Sequence, residues 1–144
     1  MLFQNVDDAL RALEDLSASP ALHQEAIHYL ASLDECYEAK SLVRALHNDD
    51  LGVRWEAGNL LATMEERALP EILKALRDPH QVGHPRFRES VLHVIHTFQD
   101  PLLKSELEPL SRAMKGVNAD IETMQEAYRL LKKIDPTACE EGEQ

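Results

Sequence analysis

Only two cysteines, five glycines and one tryptophan occur in the 144 residues, and aromatic side chains make up 5% of the chain. Cys36 and Cys139 lie far apart, and neither has a second cysteine or a histidine at ligand spacing, so both read as reduced thiols rather than as a disulfide framework. So few glycines exclude a collagen and a glycine-rich phosphate loop. No apolar stretch approaches the ~18 residues of a membrane span. The opening Met1-Leu2-Phe3-Gln4-Asn5-Val6-Asp7-Asp8 has neither the basic region nor the apolar core of a secretory signal. A soluble protein of the cytoplasm is expected.

Basic residues are also scarce: 15 against 26 acids, for a net charge of −11. Such a surface repels the phosphate backbone whose neutralisation supplies most nucleic-acid affinity, so nucleic acid and anionic membranes are disfavoured as partners. The excess is steepest in residues 1–50, with 10 acids and 3 bases, which suits a basic partner segment. Against these scarcities stand 22 leucines and 16 alanines, with only 12 valines and isoleucines, which is the composition of helices.

Those helices recur. A first anchor appears as Ala9-Leu10-Arg11-Ala12-Leu13, Leu42-Val43-Arg44-Ala45-Leu46, Ile72-Leu73-Lys74-Ala75-Leu76 and Leu110-Ser111-Arg112-Ala113-Met114. A second follows each copy, opening at Glu25, Glu56, Glu89 and Glu126, with 31, 33 and 37 residues between successive glutamates. That spacing accommodates two helices and two turns. Cap and turn residues separate the anchors: Ser17-Ala18-Ser19-Pro20, Asn48-Asp49-Asp50-Leu51-Gly52, Asp78-Pro79-His80 through His84-Pro85, and Gly116-Val117-Asn118-Ala119-Asp120. Pro70 and Pro109 fall inside the first helices of the third and fourth copies, where a proline kinks a helix or restarts it. Four units follow, at approximately 5–34, 35–66, 67–100 and 101–136, within one domain spanning 1–136. Residues 137–144 form a short acidic tail.

Helix pairs of this length, with Val53-Arg54-Trp55-Glu56-Ala57 opening a second helix, resemble HEAT repeats of the short type known from phycobilin lyases. Units one and four have His23 and Met124 at the Arg54 position, and unit three has Phe87 there. The resemblance implies an all-α, right-handed superhelical solenoid of about four helix pairs, whose second helices line a concave face. It implies a protein-binding scaffold more readily than an enzyme. Deoxyhypusine hydroxylase, which is similar in architecture, holds iron through His-Glu pairs. Here Gln24, Trp55, Arg88 and Gln125 precede the four glutamates, so those ligands are absent.

On the second-helix face the expected partner-binding residues are Glu25, His28, Trp55, Glu56, Asn59, Glu89, Leu92, Glu126 and Arg129. Trp55 is the expected anchor, because aromatic residues dominate interface hot spots. The bland alternative has each glutamate pairing with an arginine or lysine of a neighbouring unit, such as Arg54 or Arg88. No cofactor motif and no catalytic nucleophile stand out. A second class of function remains, in which His80, His84, His93 and His96 of unit three hold a metal or small ligand in an enzyme, a phycobilin-lyase-like role included. A third possibility is a homodimer formed through an uncovered stack end near Met1-Leu2-Phe3.

Overall fold

A computed structural model describes residues 3–15, 17–32 and 39–134, and these residues are helical, with no strand among them. Cys36, Asp135, Pro136, Cys139 and the rest of the acidic tail lie outside the described residues. The elements in order are α1 (Val6–Glu14), α2 (Pro20–Ser32), α3 (Lys40–Ala45), α4 (Leu51–Met64), a 3-10 turn (Glu65–Ala68), α5 (Leu69–Leu76), α6 (Pro79–Val82), α7 (Pro85–Thr97), α8 (Pro101–Glu106), α9 (Glu108–Lys115) and α10 (Ala119–Leu131). None of these helices is long and apolar enough to cross a membrane.

Most of the expected punctuation acts as the sequence predicts, though Asn118 makes no side-chain cap bond to α10. Side chains of Asn5, Asp50, Asp78 and Asp100 accept from backbone N–H groups in the first turns of α1, α4, α6 and α8, and the Ser19 hydroxyl accepts from Leu22 N–H at 3.2 Å ahead of Pro20. Each such cap contributes about 1 kcal/mol by satisfying a donor that the helix cannot. Pro70 and Pro109 both restart helices: each stands in the first turn, of α5 and of α9. The enlarged third turn contains α6.

The helices are short, and their stability comes from burying one apolar side against neighbours. First helices α1, α3 and α5 pack side by side, as do second helices α2, α4 and α7. Pairs α1–α2 and α3–α4 close against each other, and α6 lies against both α5 and α7. One continuous core joins these layers, with Leu30, Leu42, Leu46, Leu61, Ile72 and Phe87 fully buried.

Two expectations are corrected. In unit three the register advances by one residue relative to the glutamate anchor. Arg54 donates to Asn48 C=O and Arg88 to Val82 C=O, each at 2.7 Å and each six residues back, so Arg88 rather than Phe87 is the counterpart of Arg54. The buried pairs Val53/Phe87, Ala57/Val91, Leu60/Val94 and Leu61/Ile95 follow the same register. Glu89 therefore stands where Trp55 stands, and His93 where Asn59 stands. The second correction concerns the last pair. α10 packs on α9 and on α5 and α6, while α9 packs on α7. The final hairpin is thus reversed: its second helix joins the first-helix side, and Glu126 and Arg129 leave the row of second helices. Arg77, just after α5, lies over the Tyr128 ring of α10 at 4.7 Å.

Phe3 is buried against the core, with its ring 5.6 Å from that of Tyr29. Met1 and Leu2 lie outside the described residues.

Two substitutions test the packing. The Thr123 hydroxyl, buried in α10, has no hydrogen-bond partner among the described residues. Thr123→Val keeps the shape and removes the desolvated hydroxyl, and it is expected to raise the unfolding free energy by about 1 kcal/mol in urea titration. Glu65 ends α4 at φ 51°, in the left-handed region, while its carboxylate accepts from Gln99 and Asp100 N–H at 3.0 and 3.1 Å. Glu65→Ala and Glu65→Gly both lose these bonds, but glycine releases the backbone strain. The glycine variant should therefore be more stable than the alanine variant by about 1 kcal/mol, the reverse of the usual helical order.

Candidate functional site

The α2–α4–α7 row brings together most of the expected face. Its placement begins at the turns, where unsatisfied carbonyls end each first helix. Arg54 answers Asn48 and Asp49 C=O, and Arg88 answers Val82 C=O. In unit one His23, buried, does the equivalent work: Nε2 lies 2.9 Å from Asp15 C=O, and Asn48 Nδ2 lies 3.2 Å from Nδ1. A carbonyl can only accept, so Nε2 carries the proton and Nδ1 accepts from the Asn48 amide. Arg54 and Arg88 are therefore committed to backbone, and among the described residues neither forms an ion pair with the glutamate ladder.

Across the row, His28 Nε2 on α2 lies 3.3 Å from Glu56 Oε2 on α4, and Asn59 Oδ1 on α4 lies 3.0 Å from His93 Nε2 on α7. The Trp55 indole stacks on the His93 ring, with centroids 3.9 Å apart and planes 22° apart. Gly58 permits this approach: a Cβ there would lie 3.1 Å from His93 Cδ2 and 3.5 Å from Val94 Cγ2. Trp55 nevertheless remains 53% exposed. Glu25 and Glu89 are exposed, and Glu89 lies one turn before His93 on the same side of α7. Leu92 is half-buried and packed against the core, so it does not join the exposed stripe. Glu126 and Arg129, on the reversed α10, pair with each other at 2.7 Å, and this bond holds the Arg129 guanidinium further above its ordinary range.

His93 is the member that sequence reasoning assigned elsewhere. The signal was the Arg54/Arg88 correspondence, which places His93 opposite Asn59. The four histidines of unit three do not converge. His84 precedes α7 and meets His47 edge-on at 5.9 Å, whereas His93 lies nine residues further on, about 14 Å along the helix. His80 and His96 are exposed, and among the described residues no group of three or more His, Cys, Asp or Glu side chains is placed to hold a metal ion.

Two imidazoles are tuned by packing. His47 stacks on Phe87 at 4.1 Å and lies 3.1 Å from Gln81 Oε1. Burial is the main cause holding its pKa below 6.5; the positive charge of His84 and Arg86 adds to this, while the Gln81 bond and Asp78 oppose it. Burial, then His96, lowers His93 in the same direction. On the turns, hydrogen bonds from Ser17 and from Gln81 with His80 hold the Asp15 and Asp78 carboxyls below their ordinary value.

Above 6.5 both imidazoles are neutral whether the chain is folded or not. Below that value the unfolded chain takes up the protons first, so stability is lost from 6.5 down to the lowered folded pKa values. The urea midpoint is expected to fall between about pH 7.5 and 5.5, and joint replacement His47→Gln and His93→Gln should flatten that fall. An unchanged slope in the double variant would refute this assignment. Comparison of the chain with family models, with curated proteins and with solved structures finds no match in any of the three.

Proposed function

We propose that this chain is a small HEAT-like helical-repeat module, non-enzymatic, which binds a partner protein across the α2–α4–α7 row. The side-by-side packing of α1, α3 and α5 and of α2, α4 and α7 supports the repeat reading. So does the recurring bond from the opening of each of these second helices to the turn behind it. A right-handed superhelix over the first three units, with the second helices inside the curve, and action in the cytoplasm are part of the same proposal.

The observation that carries it is Trp55. An indole left 53% exposed in the middle of a helical row, held in one orientation by a stacked imidazole, costs hydrophobic free energy that a docked partner would recover. Polar side chains, Glu25, His28, Glu56, Asn59 and Glu89, stand on the same three helices, as the rim of an interface requires.

The test is quantitative affinity capture from the native host, comparing the wild-type chain with Trp55→Ala and with Glu56→Lys. Proteins bound by the wild type should be depleted by each variant, Trp55→Ala by about tenfold or more. Circular dichroism and the melting temperature should remain close to wild type, because neither side chain belongs to the core. Retention of the same proteins by Trp55→Ala would place the interface elsewhere.

A further inference from the structure

The face has a charge pattern that defines its occupant more narrowly. Helices α2, α4 and α7 contain three arginines, no lysine and three carboxylates, Glu25, Glu56 and Glu89. All three arginines are occupied: Arg54 and Arg88 bond to turn carbonyls, and Arg86 pairs with Asp49 at 2.7 Å. Glu56 has His28 at 3.3 Å as its partner across the helices, while Glu25 and Glu89 have no basic partner among the described residues. One carboxylate thus stands on each helix of the row without a guanidinium or ammonium to answer it.

The indole of Trp55 stands on the middle helix of the row, against α7. His93 closes one of its faces, which leaves the opposite face to account for the exposure of the ring. The face of an indole is the negative end of its quadrupole and attracts a cation. An anionic segment would be repelled by the three glutamates. A purely apolar helix would cover them without partners, at the cost of desolvating unpaired charge. A cationic side chain satisfies both the ring and the carboxylates.

Arginine fits better than lysine. Its planar guanidinium stacks flat on the indole while its N–H fork reaches a carboxylate beside the ring, whereas an ammonium is a strongly hydrated point charge that does neither flatly nor bidentately. We infer that the open face of Trp55 seats an arginine side chain of a basic partner segment lying across α2, α4 and α7, with Glu56 and Glu89 receiving its guanidinium. This inference rests on the interaction reading given above and names the chemistry of the partner.

Trp55 is the sole tryptophan, so its emission reports the site directly. The intact protein is titrated with blocked triarginine, trilysine and tricitrulline peptides into the millimolar range. Triarginine should produce a saturable change in emission with an affinity about three- to tenfold above that of trilysine, and tricitrulline should produce none. Glu56→Gln with Glu89→Gln should weaken triarginine binding by about tenfold, while Glu66→Gln with Glu108→Gln, which removes equal charge elsewhere, should leave it unchanged. Equal responses to triarginine and trilysine, a response to tricitrulline, or equal weakening by both double variants would each overturn the inference. Loss of native partners in Trp55→Ala without any triarginine response overturns this inference alone. Survival of native partners in Trp55→Ala overturns the interaction reading on which it stands.

Discussion

A helix that ends in a tight turn leaves carbonyl groups with no partner inside the helix, and this chain answers them from the helix that follows. Arg54 and Arg88 each reach back six residues, and His23 does the same work over a longer turn. The bond ties the start of each second helix to the end of the first and so fixes the angle at which α2, α4 and α7 leave their turns. Their side-by-side placement brings the shared core beneath and the contacts along their outer side into register. It also consumes the arginines that composition alone would assign to the surface.

The outer side of the row has a different economy. Its contacts are few, polar and between helices: His28 with Glu56, Asn59 with His93, Trp55 on His93. Exposed pairs of this kind contribute little stability, roughly 0–1 kcal/mol each. They orient side chains more than they hold the fold. The glycine at position 58 belongs to this arrangement, since its place in a helix interior is unfavourable by itself and here admits the imidazole of the next helix.

Much of the helical organisation was legible because turn chemistry is local. Ser19-Pro20, Asp50, Asp78, Asp100, Pro70 and Pro109 stop or start helices through their own dihedrals and side chains, and each does so in the structure. A surface glutamate is a poor mark of register in the third helix pair. Glutamates at exposed positions tolerate a shift of one residue, whereas Arg88, tied to Val82, does not. The reversal of the last hairpin was not legible at all. α10 buries Ala119, Thr123, Ala127 and Leu130, and the partners it docks on, α5 and α6, lie more than 35 residues earlier in the chain. The Trp55–His93 stack needed the correct register before it could be read.

That reversal limits how a chain of this kind can grow. Copying residues 101–134 once more would lay new helices against the outer sides of α9 and α10, out of line with α2, α4 and α7. A wider footprint needs helix pairs added upstream of the reversed hairpin, before α8. At about 10 Å per helix the present row measures roughly 30 Å, enough for about 20 residues of a helix or about nine of an extended strand.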